Sequence, residues 1–307
     1  MMDKNKFLFS IVIPTFNREA DLDRCLTSLA GQTFKNFEVI VCDNGSSDNT
    51  KGVAMDYLGK INLNYIFLPV NSGGPAAPRN LGIQAALGDW ICFLDSDDWY
   101  TESRLERIAA LNLAELDFLH HDLDIIKVGE NPKRMSSRQL DKLDPYYDLL
   151  YNLNPIFTSS TCVRRDILLS SDGFSEDKEI SGLEDFDLWL RLAKKGISFK
   201  HIPEVLGYYA VGDSNFTFYD ERQVNRYKAL YTFYIDLEKN TKNRKKVIAA
   251  LKYRIALIYI TGGKFFEANM LLVYSLVNGS NSLRRKTIFR FLVSIAYFFK
   301  SLFKINL

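Results

Sequence analysis

Apolar runs in the first hundred residues alternate with polar loops and with segments of helical spacing. Phe7 to Ile13 is a nearly continuous β-rich run that predicts a buried strand ending at Pro14. Asn17 then stands where a cap belongs, ahead of a helix whose apolar stripe is Leu22, Cys25, Leu26 and Leu29. Phe37 to Cys42 predicts a second strand, and the polar turn Asp43 to Asp48 opens the next helix. A third strand is expected over Leu63 to Leu68, a helix over Pro78 to Leu87, a fourth strand over Trp90 to Leu94 and a helix over Arg104 to Leu113. Strand, loop and helix in repetition predict an α/β fold, a largely parallel sheet with helices on both faces. Right-handed crossovers put the loops that follow the strands on one edge, where ligands collect. Thr15 to Arg18, Asp43 to Asp48 and Asp95 to Asp98 are therefore expected to converge.

Beyond Asp117 the pattern is less regular. Phe118 to Val128 reads as one or two strands, 129–155 as an excursion containing a short helix, and Ser160 to Arg164 as an edge strand. Ser181 to Lys194 is a helix with Leu188, Trp189 and Leu192 inward, and Phe199 to Tyr209 returns to strand. From about Asp220 the chain is helical. The expected division is a catalytic domain over 1–218 and a basic, amphipathic helical region over 219–307, within a length of 307 residues that suits a domain with an appendage.

Apolar residues make up 47% of the chain and charged ones 25%, the globular range. Cys25, Cys42, Cys92 and Cys162 form no C-x-x-C pair and read as small buried hydrophobes. The polar start, Met1 to Lys6, is unlike a signal peptide, so a cytoplasmic protein is expected. The net charge of +2 hides an asymmetry: residues 242–307 hold thirteen Lys or Arg and one acid, Glu267. An acidic body with a basic tail argues against a nucleic-acid partner and for a tail that meets something anionic.

Leu94-Asp95-Ser96-Asp97-Asp98 sets three carboxylates directly after a buried strand. In an extended chain Asp95 and Asp97 share a side and Asp98 points away. Crowded carboxylates repel, and a Mg2+ or Mn2+ ion removes that cost while keeping positions for phosphate oxygens. A charged turn or cap is the alternative. Asp43 follows its strand in the same way and suits either a base N–H or an Asx turn, with Asp48 as the cap of the next helix. Gly73 and Gly74, in Asn71-Ser72-Gly73-Gly74-Pro75, bare a backbone for close approach to a ligand. Neither a Gly-Lys-Ser/Thr loop nor a dinucleotide glycine fingerprint is present, which disfavours an ATPase or an NAD enzyme. Arg79 suits a phosphate, a base or plain surface exposure. In the late helix Ser181 and Glu184 have capping-box spacing, and Asp187 and Arg191 form an i,i+4 pair expected on the solvated side. Asp185 lies one turn before Leu188 and Trp189 and so faces the protein. The helix dipole keeps such a carboxylate ionised, as a general base requires.

Five segments together carry a resemblance: Ile-Val-Ile-Pro-Thr-Phe-Asn-Arg (11–18), Val-Cys-Asp-Asn-Gly-Ser-Ser-Asp (41–48), Asn-Ser-Gly-Gly-Pro-Ala-Ala-Pro-Arg-Asn-Leu-Gly (71–82), Ile-Cys-Phe-Leu-Asp-Ser-Asp-Asp (91–98) and Glu-Asp-Phe-Asp-Leu-Trp-Leu-Arg (184–191). In this order they resemble the family 2 glycosyltransferases, over about residues 8–215. The resemblance implies a GT-A fold, an inverting transfer from a nucleotide sugar, commonly a UDP-sugar, and a saccharide acceptor. It implies a nucleoside pocket of Thr15, Asn17, Glu19 and Asp43, with Asp43 on the uracil edge. Arg79 would lie by the base or diphosphate. Gly73 and Ser96 join the same donor-binding set. Asp95 would lie by ribose and metal, Asp97 would hold Mn2+ or Mg2+, Asp185 would be the base, and Glu184 would support it or touch the acceptor. Two departures stand out. Asn44 replaces an acid that many relatives carry, and the histidine many place after the last strand is absent, with Asp213 as the substitute ligand.

Residues 247–260 and 287–303 mix apolar and basic positions. Between Arg290 and Lys300 the apolar stretch is too short to span a bilayer. The basic amphipathic character of 285–307 suits the anionic inner face of the plasma membrane, where a lipid-linked acceptor would also lie. A helix pair packed on the catalytic domain, or a homodimer contact, is the other reading. Two further functional classes stay open: a sugar nucleotidyltransferase, for which the basic glycine-rich loop is missing, and a catalytically degenerate glycan-binding or scaffold protein.

Overall fold

A computed structural model describes residues 7–212 and 220–303, with side chains to Phe298. The chain separates into two compact units. The first takes Met1–Pro145, Pro155–Glu176 and Arg191–Asn215; the second takes Tyr146–Asn154, Asp177–Leu190 and Phe216–Leu307.

The first unit holds every described strand: β1 (Phe9–Thr15), β2 (Phe37–Asp43), β3 (Leu63–Phe67), β4 (Trp90–Phe93), β5 (Trp99–Tyr100), β6 (Phe118–Ile126), β7 (Lys133–Met135), β8 (Cys162–Arg164) and β9 (Phe199–Ala210). They form one sheet in the order β3-β2-β1-β4-β8-β6-β9-β5, with β7 beside β6. The long ladders β1–β2, β2–β3, β1–β4 and β6–β9 are parallel. The short ones are antiparallel. Helices α1 (Glu19–Ala30), α2 (Thr50–Met55), α3 (Ala76–Ala85) and α4 (Arg104–Ala109) intervene as the pattern predicts.

Strand alternation explains how the helices are shared between the faces. Ile11, Ile13, Val39 and Val41 pack with Leu22, Cys25, Leu26 and Leu29 of α1 and with Leu105 and Ile108 of α4. Val12 and Cys42, one residue out of phase, meet α3 at Gly82, where an added Cβ would lie 2.3 Å from Val12 Cγ1. With both faces covered, β1 and β2 are buried throughout. All four cysteines are buried and unpaired.

Three sequence expectations change here. Pro14 does not end β1; it pairs with Cys42 on β2. Alternation turns its missing N–H toward β4, beyond the last β1–β4 pair at Val12–Phe93, so no ladder bond is lost. Segment 160–164 is not an edge: β8 lies between β4 and β6 and pairs with both, which its buried Cys162 and Val163 require. The helix expected to Leu113 stops at Ala109.

The parallel β6–β9 pairing gathers the chain's three histidines. His201 stacks on His120 with ring centroids 5.2 Å apart, and its Nε2–H donates to Asp122 at 2.8 Å. Asp122 also accepts from Arg134 at 3.0 and 2.6 Å and from the Ser137 N–H at 2.8 Å. Arg104, wholly buried, donates to His121 Nε2 at 2.9 Å and lies over the Tyr100 ring.

The second unit is helical: α5 (Pro145–Asn152), the first part of α7 (Glu184–Lys194), α8 (Glu221–Leu237), α9 (Thr241–Thr261), α10 (Phe265–Asn278) and α11 (Asn281–Phe303). Helix α6 (Arg165–Leu169) belongs to the first unit. Asp220 caps α8 through the Arg222 N–H, and Asn240 caps α9 through the N–H groups of Lys242 and Asn243. Lys286 donates to the Asn152 carbonyl at 3.0 Å, which ties the start of α11 to α5. No described helix is long and apolar enough to cross a membrane.

Candidate active site

The loops after β1 and β2 are laced together by reciprocal bonds. The Asn17 N–H donates to Ser46 Oγ at 2.8 Å, and Asn17 Oδ1 accepts from the Ser47 N–H at 2.8 Å. The Glu19 N–H donates to Asp48 at 3.2 Å, and the Glu19 carboxylate accepts from the Asn49 N–H at 3.0 Å. Asn17 is thus not the cap of α1. Its φ of 50° turns it toward the second loop, and Arg18 takes the cap position. Asp48 accepts from the N–H of Thr50 at 3.0 Å, but the cap position of α2 is held by Asn49 and not, as the sequence suggests, by Asp48. Thr15 closes β1; its hydroxyl is buried and finds no partner among the described residues.

Asp43 is buried at the end of β2. One oxygen accepts from the Ser46 N–H at 2.8 Å, which forms the Asx turn, and the other accepts from Tyr65 Oη at 2.5 Å. Burial first, then that bond, pushes the Tyr65 hydroxyl well up. Asn44 is a four-bond clamp. Its Oδ1 accepts from the Ser72 N–H and hydroxyl, both at 3.0 Å, and its Nδ2 donates to the Gly74 carbonyl at 3.1 Å and to Asn71 at 3.3 Å. An aspartate has no N–H to give these carbonyl oxygens, which explains the departure at this position. Gly73 has a φ of 89° and open space where a Cβ would point.

After β4 the extended form does not persist. Ser96 and Asp97 form a turn closed by the Asp98 N–H to the Asp95 carbonyl at 3.0 Å, with Ser96 buried. Asp95 accepts from Arg79 at 2.6 Å. Arg79 itself is buried beneath the sheet edge, 5.2 Å from the Phe174 ring centroid, and is no surface arginine. Asp97 accepts from Arg18 at 2.8 Å, while Arg24 donates to its carbonyl at 2.8 Å. Burial, then the charge of Asp95, holds Asp97 above the ordinary carboxylate range against the pull of Arg18. Asp98 is turned inward, where it accepts from the Ser159 hydroxyl and, at 3.0 Å, from the Ala210 N–H. Burial, then its two acidic neighbours, raises it further.

Asp95 and Asp97 fit a divalent cation by donor chemistry. They are hard oxygen ligands whose mutual repulsion already raises Asp97. No group of three ligating side chains occurs among the described residues. Asp213 lies outside the described residues.

Glu184 and Asp185 belong to the second unit. Helix α7 begins at Glu184, so the capping box expected from Ser181 is replaced by a tighter contact: the Gly182 N–H donates to the buried Glu184 at 2.5 Å. Asp185 is half-buried in the first turn and accepts from the Phe186 N–H at 2.6 Å. Asp187 is not on a solvated side. It is buried and accepts from the Tyr234 hydroxyl at 2.8 Å, while Arg191 donates to the Gly173 carbonyl at 2.5 Å. The cause is that Phe186, Leu188, Trp189 and Leu190 around it are all buried, so the side of α7 that carries Asp187 is not solvated.

The structure thus gathers Thr15, Asn17, Glu19, Asp43, Arg79, Asp95, Ser96 and Asp97 at one sheet edge, on strand ends, the loops after them and the first turns of α1 and α3, with Gly73 on the adjoining loop held by Asn44. Sequence reasoning missed Arg18 and Arg24 as partners of Asp97. The available signal was two arginines flanking Asp21 in an otherwise acidic neighbourhood.

A largely parallel sheet with helices on both faces and acidic loops at the carboxyl ends of its strands defines an α/β protein of the kind that takes ligands at that edge. The family model for glycosyl transferase family 2 matches residues 10–170, and the chain belongs to that family. It is 35% identical over 181 residues to the poly(ribitol-phosphate) beta-N-acetylglucosaminyltransferase TarS of Staphylococcus aureus, covering 58% of this chain and 31% of that protein. It is 26% identical over 274 residues to the amylovoran biosynthesis glycosyltransferase AmsB of Erwinia amylovora, covering 85% and 88%. The crystal structure of S. aureus TarS 1-349 in complex with UDP-GlcNAc matches with a TM-score of 0.64 at 22% identity, over 95% of this chain and 92% of that one. That likeness is one of fold, the GT-A type.

Proposed function

We propose that this chain transfers a sugar from a UDP-linked donor to a hydroxyl of a saccharide acceptor, lipid-linked in one form, in a single displacement that inverts the anomeric configuration. Membership of the family supports the reaction class. The names of TarS and AmsB support a surface polysaccharide as the setting, and the UDP-GlcNAc in the TarS crystal structure supports a UDP-sugar. The observation that carries the reading is the acidic edge itself: the loops after β1, β2 and β4 are cross-linked by Asn17–Ser46 and Arg18–Asp97 into one edge that holds the buried Asp43 and the half-buried Asp95 and Asp97.

In this reading Asp43 uses its remaining lone pairs on the uracil edge, and the Thr15 hydroxyl, which has no partner among the described residues, lines the nucleoside pocket with Asn17 and Glu19. Arg79 orients Asp95 and reaches the base or diphosphate. Gly73 and Ser96 leave backbone room for the donor. Asp97 and Asp95 would hold Mn2+ or Mg2+, which when bound offsets the charge growing on the departing diphosphate. Asp185 takes the proton of the attacking hydroxyl, its ionised form favoured by the N-terminus of α7. Glu184 fixes that first turn through Gly182. Attack opposite the leaving group inverts the anomeric carbon, the geometry glycoside chemistry imposes on its carboxylates.

Incubation of the full chain with a panel of UDP-sugars, Mn2+ and a membrane extract, read by mass spectrometry, tests this. A mass increment of one hexose or N-acetylhexosamine on an acceptor is expected. Neither transfer nor hydrolysis with any sugar donor would defeat it, and saturable UDP binding without turnover would favour the degenerate glycan-binding reading.

A further inference from the structure

Helix α10 is apolar on two opposite faces. Ala268, Leu272 and Ser275 form its buried line, and Ser275 Oγ donates to the Ala249 carbonyl of α9 at 2.8 Å. On the other side Phe266 is 71% exposed, Met270 62%, Val273 47% and Val277 63%. At about 100° per residue these four positions fall within about 60° of each other, a continuous stripe facing away from the buried line. Ile288, Phe289 and Leu292 form a second exposed apolar group on α11. An exposed apolar stripe of this length marks a contact surface, and among the described residues the stripe of α10 is uncovered.

The charges decide between occupants. Arg284, Arg285, Lys286 and Arg290 are exposed at the start of α11, and Arg285 lies on the same side of that helix as Ile288 and Leu292. Residues 242–307 contain a single acid, Glu267. A second copy seated on this face would set like charges against like across a self-complementary interface. An anionic lipid surface neutralises the same cations and takes up the apolar side chains between them.

We propose that the exposed stripe of α10, together with Ile288, Phe289 and Leu292 of α11, docks on the surface of an anionic phospholipid bilayer. The inference does not depend on the sugar-transfer reading. It also moves the centre of the contact from 285–307 to α10, a helix whose sequence alone did not distinguish a buried side from an exposed one.

Co-sedimentation of the full chain with phosphatidylcholine vesicles, with and without about one-third phosphatidylglycerol, tests it. Binding is expected only with the anionic lipid and falls between about 0.05 M and about 0.5 M salt as surface charge is screened. Val273→Asp with Val277→Asp, two exposed positions, lowers the partition coefficient about tenfold or more. Arg285→Ala lowers it on the order of fivefold. Circular dichroism and sedimentation velocity on each variant report folding and self-association. Equal partition of the wild type and the folded double variant, no binding to anionic vesicles, or a wild-type dimer that the double variant splits would each overturn the proposal.

Discussion

Arg18 and Asp97 form an ion pair at 2.8 Å, each about one-fifth exposed, and through it the loop after β1 holds the loop after β4. Asp97 carries two opposing influences: burial and Asp95 raise its affinity for a proton, and Arg18 lowers it. Arg18→Ala removes the only one of these three that favours the carboxylate. Titration of the Asp97 carboxyl carbon by NMR in protein labelled at aspartate should show its midpoint moving upward in the variant. An unmoved or lower midpoint would mean that the pair does not control the charge of Asp97.

Asp122 predicts the acid limb of stability. Burial works against its charge, yet the bonds from His201, Arg134 and the Ser137 N–H together hold it below the ordinary carboxylate range. A depressed folded-state value contributes stability above the unfolded value, which is lost as pH falls through the folded one. His120 acts in the same direction. Its buried ring, beside His201, is pushed down to about 3, so protonation from about pH 6.5 downward favours the unfolded chain. Asp122→Asn should therefore cost about 2–4 kcal/mol near pH 7 in urea denaturation. The deficit should shrink toward pH 3; a pH-independent deficit would contradict this account.

Asn44→Ala strands the half-buried Ser72 N–H and Gly74 carbonyl, so a loss of about 1–2 kcal/mol is expected. Asn44→Asp keeps the acceptor but sets a charged oxygen against the Gly74 carbonyl in a buried position beside Asp43, so it should cost at least as much. Thermal unfolding of both variants checks this, and a wild-type midpoint in Asn44→Asp would contradict it.

Gly88 and Gly82 separate two kinds of crowding. A Cβ at Gly82 meets the buried Val12 side chain at 2.3 Å, which must shift to admit it, whereas at Gly88 it meets Phe9 C and Ser10 N at 2.7 Å, backbone that cannot move without the strand. Gly82→Ala should cost about 1–2 kcal/mol and Gly88→Ala about 3 kcal/mol or more by urea denaturation. The reverse ranking would place the β1–α3 packing elsewhere.

The first four strands, the helices between them and the acidic loops were legible because each is specified locally: an apolar run, a turn residue, a 3.6-residue stripe. What was not legible depends on partners far along the chain. Asn17 has the chemistry of a cap, but Ser46 and Ser47, about thirty residues away, take it first. β8 is only three residues long and looks like an edge until its two neighbours are known. Asp187 reads as solvated because an i,i+4 arginine is all that its local sequence offers; the Tyr234 hydroxyl lies 47 residues on. The histidine cluster exists only through the pairing of β6 with β9, which no local pattern announces.

Calorimetric titration of UDP in the presence of Mn2+ into the wild type, Asp97→Ala and Asp185→Asn tests the assignment of roles most directly. The account predicts saturable binding to the wild type, at least tenfold weaker binding to Asp97→Ala (roughly 1.4 kcal/mol) and unchanged binding to a turnover-dead Asp185→Asn. Wild-type affinity in Asp97→Ala, or loss of UDP binding in Asp185→Asn, would contradict it.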